Sequence, residues 1–165
     1  MIVFFSHVGE NYAVGNIKVG NTKIVDEYIR ERTGADEFEI VAEKSYDMPY
    51  SDLTKLARKE TGSGELPAFK GAVNDIEQYD TIFIGGPIWW GTYPQVMFTF
   101  FKQYDLNGKT IIPFTTHEGS RLANVVEDLK SLYPKAMITG AFAIYRHEVR
   151  SGKAKVEKWL ENVGY

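Results

Sequence analysis

Short apolar runs rich in strand-forming residues alternate with segments whose apolar residues recur at helical spacing, and this alternation constrains the fold most. We predict strands at residues 2–5, 38–41, 81–84 and 110–115, and a fifth within 137–145. We predict helices at 21–34, from Ser51 as a cap, at 94–103, 122–132 and 156–163, with a short helix near 73–76. Such alternation is typical of right-handed βαβ units. We therefore predict a doubly wound α/β fold, with five parallel strands in the order 2-1-3-4-5 and helices on both faces.

The length of the chain, 165 residues, is that of one domain, so we expect residues 1–165 to form a single domain. Residues 42–80 contain a long excursion, which we interpret as a decorated connection within that domain and not as a linker. Pro113 argues against the fourth strand, because proline is normally kept out of central strands.

Composition excludes several classes of function. The chain has no cysteine, which rules out disulfides, a thiol nucleophile and cysteine-based metal sites. Its three histidines lack metal-ligand spacing, so no metal is predicted. A net charge of −3 does not indicate nucleic-acid binding. With neither a signal peptide nor a membrane span in the pattern, we expect a cytoplasmic protein that does not enter the membrane.

In a sheet of this kind ligands bind at the carboxyl ends of the strands, near the point where the strand order reverses. The loop after the first strand leads to Gly20, Asn21 and Thr22 at the start of a helix, a favourable place for an anion. Residues 15–22 resemble the phosphate loop G-x-x-x-x-G-K-[ST], but Asn21 replaces its lysine. Hydroxyls and amides without that lysine suit a single terminal phosphate better than a triphosphate.

The loop after the third strand, residues 85–94, is the most informative. It contains Trp89 and Trp90 between glycines and prolines. Tryptophan offers a broad stacking face, and glycine lets backbone atoms approach a ligand closely. This loop therefore predicts a wall for a flat aromatic ring system, although either tryptophan could instead serve ordinary packing.

The loop after the fourth strand, residues 115–120, is polar and contains glycine, and could complete the pocket. Because histidine side chains ordinarily titrate near neutrality, His117 is a candidate for acid–base chemistry. A hydrogen-bonding or exposed role is the stronger interpretation of this histidine.

Taken together, these loops, with the sequence P-I-W-W-G at residues 87–91, resemble the flavodoxin superfamily, and in particular its short bacterial members. The resemblance covers essentially the whole chain and implies non-covalent flavin mononucleotide (FMN). The implied cofactor-binding residues are Ser6, His7, Gly20, Asn21, Thr22, Pro87, Ile88, Trp89, Trp90, Gly91, Thr116, His117, Glu118 and Gly119. The phosphate would lie on the first five, and the ring between residues 89–91 and 116–119. Gly91 matches the position at which the peptide of such proteins reorients towards the reduced ring.

The resemblance implies an FMN-binding redox protein that mediates electron transfer with a redox partner protein or a small-molecule acceptor. An NAD(P)H-dependent flavin or quinone oxidoreductase is the alternative, and a flavin-free protein-interaction module is a lesser one. Stacking on tryptophan and the nearby phosphate charge are expected to disfavour additional negative charge on the ring. Residues 8–19 form an insertion relative to the family that could cover the flavin.

Overall fold

The computed structural model describes residues 1–165 and contains ten strands. The strands are β1 (Ile2–Phe4), β2 (Gly9–Asn11), β3 (Gly15–Ile17), β4 (Glu37–Glu39), β5 (Val41–Ala42), β6 (Phe69–Lys70), β7 (Thr81–Pro87), β8 (Thr110–His117), β9 (Met137–Ile138) and β10 (Phe142–Tyr145). The central sheet runs β4-β1-β7-β8-β10, and every pairing in it is parallel. This is the order 2-1-3-4-5, which confirms the predicted fold.

Five α-helices accompany the sheet: α1 (Asn21–Thr33), α2 (Tyr50–Ser63), α3 (Gln95–Gln103), α4 (Val125–Leu132) and α5 (Lys153–Asn162). Two 3₁₀ segments cover Ile76–Gln78 and Arg146–Ser151. Alternate residues of a strand point to opposite faces of a sheet. Accordingly Ile2 and Phe4 pack with α1 and α5, whereas Val3 belongs to the core beneath α2, α3 and α4. The sheet is therefore covered on both faces, as predicted.

The fifth strand of the sheet is interrupted, and the interruption explains how Pro113 fits into a central strand. β9 pairs with the start of β8 and β10 with its end, while residues 139–141 between them are irregular. Pro113 faces Ile84 of β7 on one side and falls between β9 and β10 on the other. Its missing N–H therefore costs the sheet no hydrogen bond on that second side.

The start of α2 differs from the prediction. Ser51 does not cap this helix, which begins at Tyr50 after Pro49. The N–H of Tyr50 donates instead to the carboxylate of Glu10, at 2.7 Å, so a side chain forty residues earlier supplies the cap. The helix ends at Ser63, with Gly64 in the left-handed conformation.

The segment 8–19 forms an antiparallel hairpin, β2–β3, and not an irregular loop. Besides the contact of Glu10 with α2, Tyr12 stacks on Tyr50 with ring centroids 6.1 Å apart. The hairpin therefore braces the N-terminus of α2. None of the helices is long and apolar enough to cross a membrane.

Candidate functional site

The N-terminus of α1 lies at the carboxyl end of β1 and offers free donors. The N–H groups of Asn21 and Thr22 donate no hydrogen bond, although both residues are almost fully buried. The N–H of Lys23 donates to Ser6 Oγ at 3.0 Å, which fixes this serine against the helix. A Cβ at Gly20 would collide with Ser6 Oγ, so glycine is required there. The arrangement is suited to an anion held by backbone amides and hydroxyls.

The tryptophan loop is a tight turn. The N–H and C=O groups of Trp89 and Thr92 bond to each other at 2.9 and 3.3 Å. The two central residues both have positive φ, 52° at Trp90 and 87° at Gly91, as a type I′ turn requires. Asparagine or glycine normally occupies the first of these positions, and a bulky residue there is strained. Strain of this kind concentrates at functional sites, which singles out Trp90.

The two tryptophans have different surroundings. Trp89 is partly buried and meets the rings of Phe5, His7 and Tyr46 edge to face, with centroids 5.1–5.7 Å apart. Trp90 is 51% exposed and leans on α2. Its indole N–H donates to the carbonyl of Thr54 at 3.0 Å, and the guanidinium of Arg58 lies over its ring. Trp89 is therefore a packing residue, whereas Trp90 has ring surface available to a ligand.

The carbonyl of Gly91 accepts a hydrogen bond from the N–H of Asn124 at 3.0 Å. Reorientation of this peptide would break that bond, which is worth about 0.5–1.5 kcal/mol. Gly85 and Gly86, in contrast, lie within β7, where a Cβ would collide with Phe114 or with Met97 and Tyr93. These two glycines are therefore required by packing inside the protein, independently of any ligand.

The loop after β8 joins the α1 end of the site. Thr116 Oγ1 and Thr22 Oγ1 are 3.0 Å apart and share a hydrogen bond. His117 is buried, and its Nδ1 accepts from the N–H of Gly119 at 3.0 Å. Glu118 turns away, because its carboxylate accepts from the backbone N–H of His147, at 3.1 Å, and contacts the Nδ1 of that residue at 2.9 Å. Of the predicted residues in this loop, Thr116 and His117 are thus placed inwards.

A cavity of about 230 Å³ lies beside the tryptophan loop. Its lining comprises Ile88, Trp89 and Trp90 from the loop, Tyr50, Leu53, Thr54 and Ala57 from α2, and Arg146. Pockets that hold a whole ligand usually measure about 300–1,000 Å³, so this one suits a flat ring system and not a complete nucleotide. Its second wall is α2, whereas the sequence predicted residues 116–119 in that place.

Burial disfavours the protonated, charged form of the two histidines of the site. The pKa of His7 is lowered from its ordinary value of 6.5, chiefly by desolvation and further by the charge of Arg146. The pKa of His117 is lowered for the same two reasons, desolvation being the larger. Both imidazoles are therefore neutral near pH 7, and Arg146 is the positive group buried among them.

The structure brings most of the predicted residues to one edge of the sheet, but Glu118 turns to His147 and Gly119 is exposed. Sequence reasoning missed Arg146 and the four lining residues of α2. The apolar spacing of Leu53 and Ala57 indicated only a helix, and an arginine after the last strand carries no local signal.

Comparison with known proteins relates this arrangement to one family. A family model described as flavodoxin matches residues 14–163. Among solved structures, a candidate flavoprotein from Bacteroides uniformis is 26% identical with a TM-score of 0.78, covering 98% of this chain and 96% of that one. A second, from Bacteroides eggerthii, is 26% identical with a TM-score of 0.75 and covers 99% and 96%.

A flavoprotein from Lactobacillus acidophilus, solved in complex with FMN, is 21% identical with a TM-score of 0.68. The alignment covers 96% of this chain and 95% of that one, and at this identity it demonstrates a common fold. None of the curated proteins matches the sequence significantly.

Proposed function

The chain belongs to the flavodoxin family, and we propose that it binds FMN non-covalently and uses it to transfer electrons. The observation that carries this proposal is a juxtaposition at one edge of the sheet. A helix N-terminus with two free buried amides and a cavity walled by two tryptophans both lie at the carboxyl edge of the sheet. An anion site beside an aromatic slot fits a ligand with a phosphate at one end and a flat ring at the other.

The phosphate would be held at the start of α1. The free N–H groups of Asn21 and Thr22 would donate to its oxygens, supported by the positive end of the helix dipole. The hydroxyl of Thr22 and the side chain of Asn21, which is buried and makes no hydrogen bond, would add donors. No lysine or arginine side chain is needed for this step.

The ring would enter the cavity between the tryptophan loop and α2. Trp90 would supply the stacking face, because Trp89 is already packed against three other rings, whereas Trp90 is half-exposed. Bound FMN would supply the redox chemistry, while the chain would orient the ring and exclude water from part of it. Leu53, Ala57 and Ile88 would provide the apolar surface for that exclusion.

Two observations favour an electron carrier over a reductase. The sequence contains no second dinucleotide-binding fingerprint that would serve a nicotinamide donor. The strained turn at Trp90 also presents a half-exposed aromatic surface at the mouth of the cavity, where a redox partner could approach.

The test begins with the visible spectrum of the purified protein after FMN has been added and the excess removed. A retained flavin spectrum, and quenching of flavin fluorescence on titration, are expected. A protein that neither retains FMN nor quenches it would refute the proposal and leave the Trp90 surface as a protein-interaction site.

A second measurement separates carrier from reductase. The FMN-loaded protein is mixed anaerobically with NADH or NADPH, and flavin absorbance is followed. A carrier is expected to remain oxidised until a reductase is added, whereas rapid bleaching by either nucleotide would establish the reductase alternative.

A further inference from the structure

Arg146 reaches the site from the end of the edge strand β10. It is the first residue after β10, the outermost strand, and begins the 3₁₀ segment there. Its side chain nevertheless lines the same cavity as Trp89, which follows β7, and Tyr50 of α2. The side chain therefore extends past β8, across the carboxyl edge of the sheet.

The guanidinium of Arg146 has no partner within the protein. The residue is only 8% exposed, its Nε is buried without a hydrogen bond, and no carboxylate forms an ion pair with it. Glu118 is near enough to influence its pKa, but that carboxylate is engaged by His147. Burial of an unpaired charge is unfavourable, and arginine does not relieve this cost by losing its proton. A charge maintained at such a cost indicates an anionic partner outside the chain.

The position of Arg146 distinguishes the two ends of the proposed cofactor. It shares its cavity with both tryptophans, and none of Ser6, Asn21 and Thr22 lines that cavity. The anionic partner of Arg146 is therefore expected on the flavin ring and not on the phosphate. Reduction of a flavin ring by two electrons and one proton leaves one negative charge on it, so the ring becomes an anion only on reduction.

We propose that Arg146 pairs with the negative charge of the reduced flavin ring and thereby raises the reduction potential of the bound cofactor. This inference rests on FMN binding as proposed above. It reverses the sign of the electrostatic effect expected from tryptophan stacking and the phosphate alone. Arg146 would thus influence the reduction potential of the bound flavin while contributing little to the affinity for the oxidised form.

The experiment compares four proteins: the wild type, Arg146→Gln, Arg146→Lys and Arg150→Gln. Arg150 lies in the same 3₁₀ segment, is exposed and forms no ion pair, so it is the matched control. Each protein is loaded with FMN, and separately with riboflavin, and the two-electron potential and the affinity for the oxidised flavin are measured. Thermal unfolding verifies that each variant is folded.

Arg146→Gln is expected to weaken binding of the reduced flavin about tenfold relative to the oxidised form, which lowers the potential by about 30 mV. The decrease should be the same with riboflavin, which lacks the phosphate. Arg146→Lys should restore part of the potential, and Arg150→Gln should leave it unchanged.

Three results would overturn the inference. An unchanged potential in folded Arg146→Gln would show that its charge does not act on the ring. Weaker binding of FMN with undiminished binding of riboflavin would assign Arg146 to the phosphate. Failure of the wild type to bind FMN would refute the proposed function and this inference together. The first two results would refute only the inference about Arg146.

Discussion

The two ends of the candidate site are built in different ways. The phosphate end consists of backbone amides at the start of α1, with Ser6 and Thr116 bonded to residues of that helix. The ring end is assembled from side chains of α2, the tryptophan loop and the segment after β10. The first end is formed mainly by the start of one helix and the end of the strand that precedes its hairpin, whereas the second exists only when distant parts of the chain are folded together.

The two ends also differ in their cost to the protein. The amides at α1 are neutral, and their geometry follows from the helix itself. At the ring end, Trp90 occupies a left-handed conformation that costs about 1–3 kcal/mol, and Arg146 is a buried charge without a partner. The proposed anion site thus follows from regular helix geometry, whereas the proposed ring site includes a strained residue and an unpaired charge.

The largest effect is expected within the ring end, where the structure separates a packed tryptophan, Trp89, from a half-exposed one, Trp90. Trp89→Ala should lower the free energy of unfolding by about 3–5 kcal/mol, because it removes the ring that Phe5, His7 and Tyr46 contact. Urea denaturation of the flavin-free protein measures this loss. Trp90→Ala should cost much less, and equal losses would contradict the distinction.

Arg146→Met should stabilise the flavin-free protein, by about 1–4 kcal/mol, because an unpaired buried charge is replaced by an apolar side chain of similar length. The same denaturation assay applies, with Arg150→Met as the control at an exposed position in the same segment. A loss of stability in Arg146→Met alone would mean that the guanidinium is satisfied within the protein.

Trp90→Ala should weaken FMN binding by about 1–3 kcal/mol, the range of stacking between a base and an aromatic side chain. Fluorescence titration gives the dissociation constant, and Trp90→Phe, which keeps an aromatic face, should lose less. If the dissociation constant for FMN is the same in Trp90→Ala and in the wild type, Trp90 does not stack on the ring.

At the phosphate end, Thr22→Val should weaken FMN binding by about 0.5–1.5 kcal/mol through loss of one hydroxyl. Riboflavin binding should not change, which separates this end from the ring end. Thr33→Val, at the other end of α1, is the control. Equal losses for FMN and riboflavin would place Thr22 outside the phosphate contacts.

The smallest effect is a pH dependence that both ends share. Because the pKa values of His7 and His117 are lowered in the folded protein, the unfolded chain binds protons more readily. Stability should therefore fall as pH decreases below about 6.5, and level off below the folded-state pKa values. NMR titration should find both histidines below 6.5 in the wild type and shifted upwards in Arg146→Gln. If the two histidines have the same pKa values in Arg146→Gln as in the wild type, Arg146 does not influence them.

Local patterns in the sequence were sufficient for much of the fold and for one end of the site. Helical and strand spacing predicted the sheet order, and the residues that open α1 predicted the anion site. The sequence singled out the tryptophan loop, but which tryptophan packs depends on contacts with Phe5 and Tyr46, and these are set by tertiary structure.

What the sequence did not predict depends on long-range contacts. The cap of α2 comes from Glu10, in a hairpin that hydropathy did not reveal. The break in the fifth strand depends on Pro113 of the neighbouring strand and on Gly140, whose carbonyl accepts the indole N–H of Trp159 at 2.6 Å. Arg146 lies far in sequence from every other residue of its cavity.

The hydrogen bond from Tyr50 to Glu10 has a consequence for how the fold can vary. Because the hairpin holds the first turn of α2, and α2 is a wall of the cavity, the hairpin and the wall behave as one unit. A homologue without the hairpin would have to cap and position α2 by other means. Shortening of the hairpin is therefore expected to loosen the first turn of α2 and to alter the shape of the cavity as well.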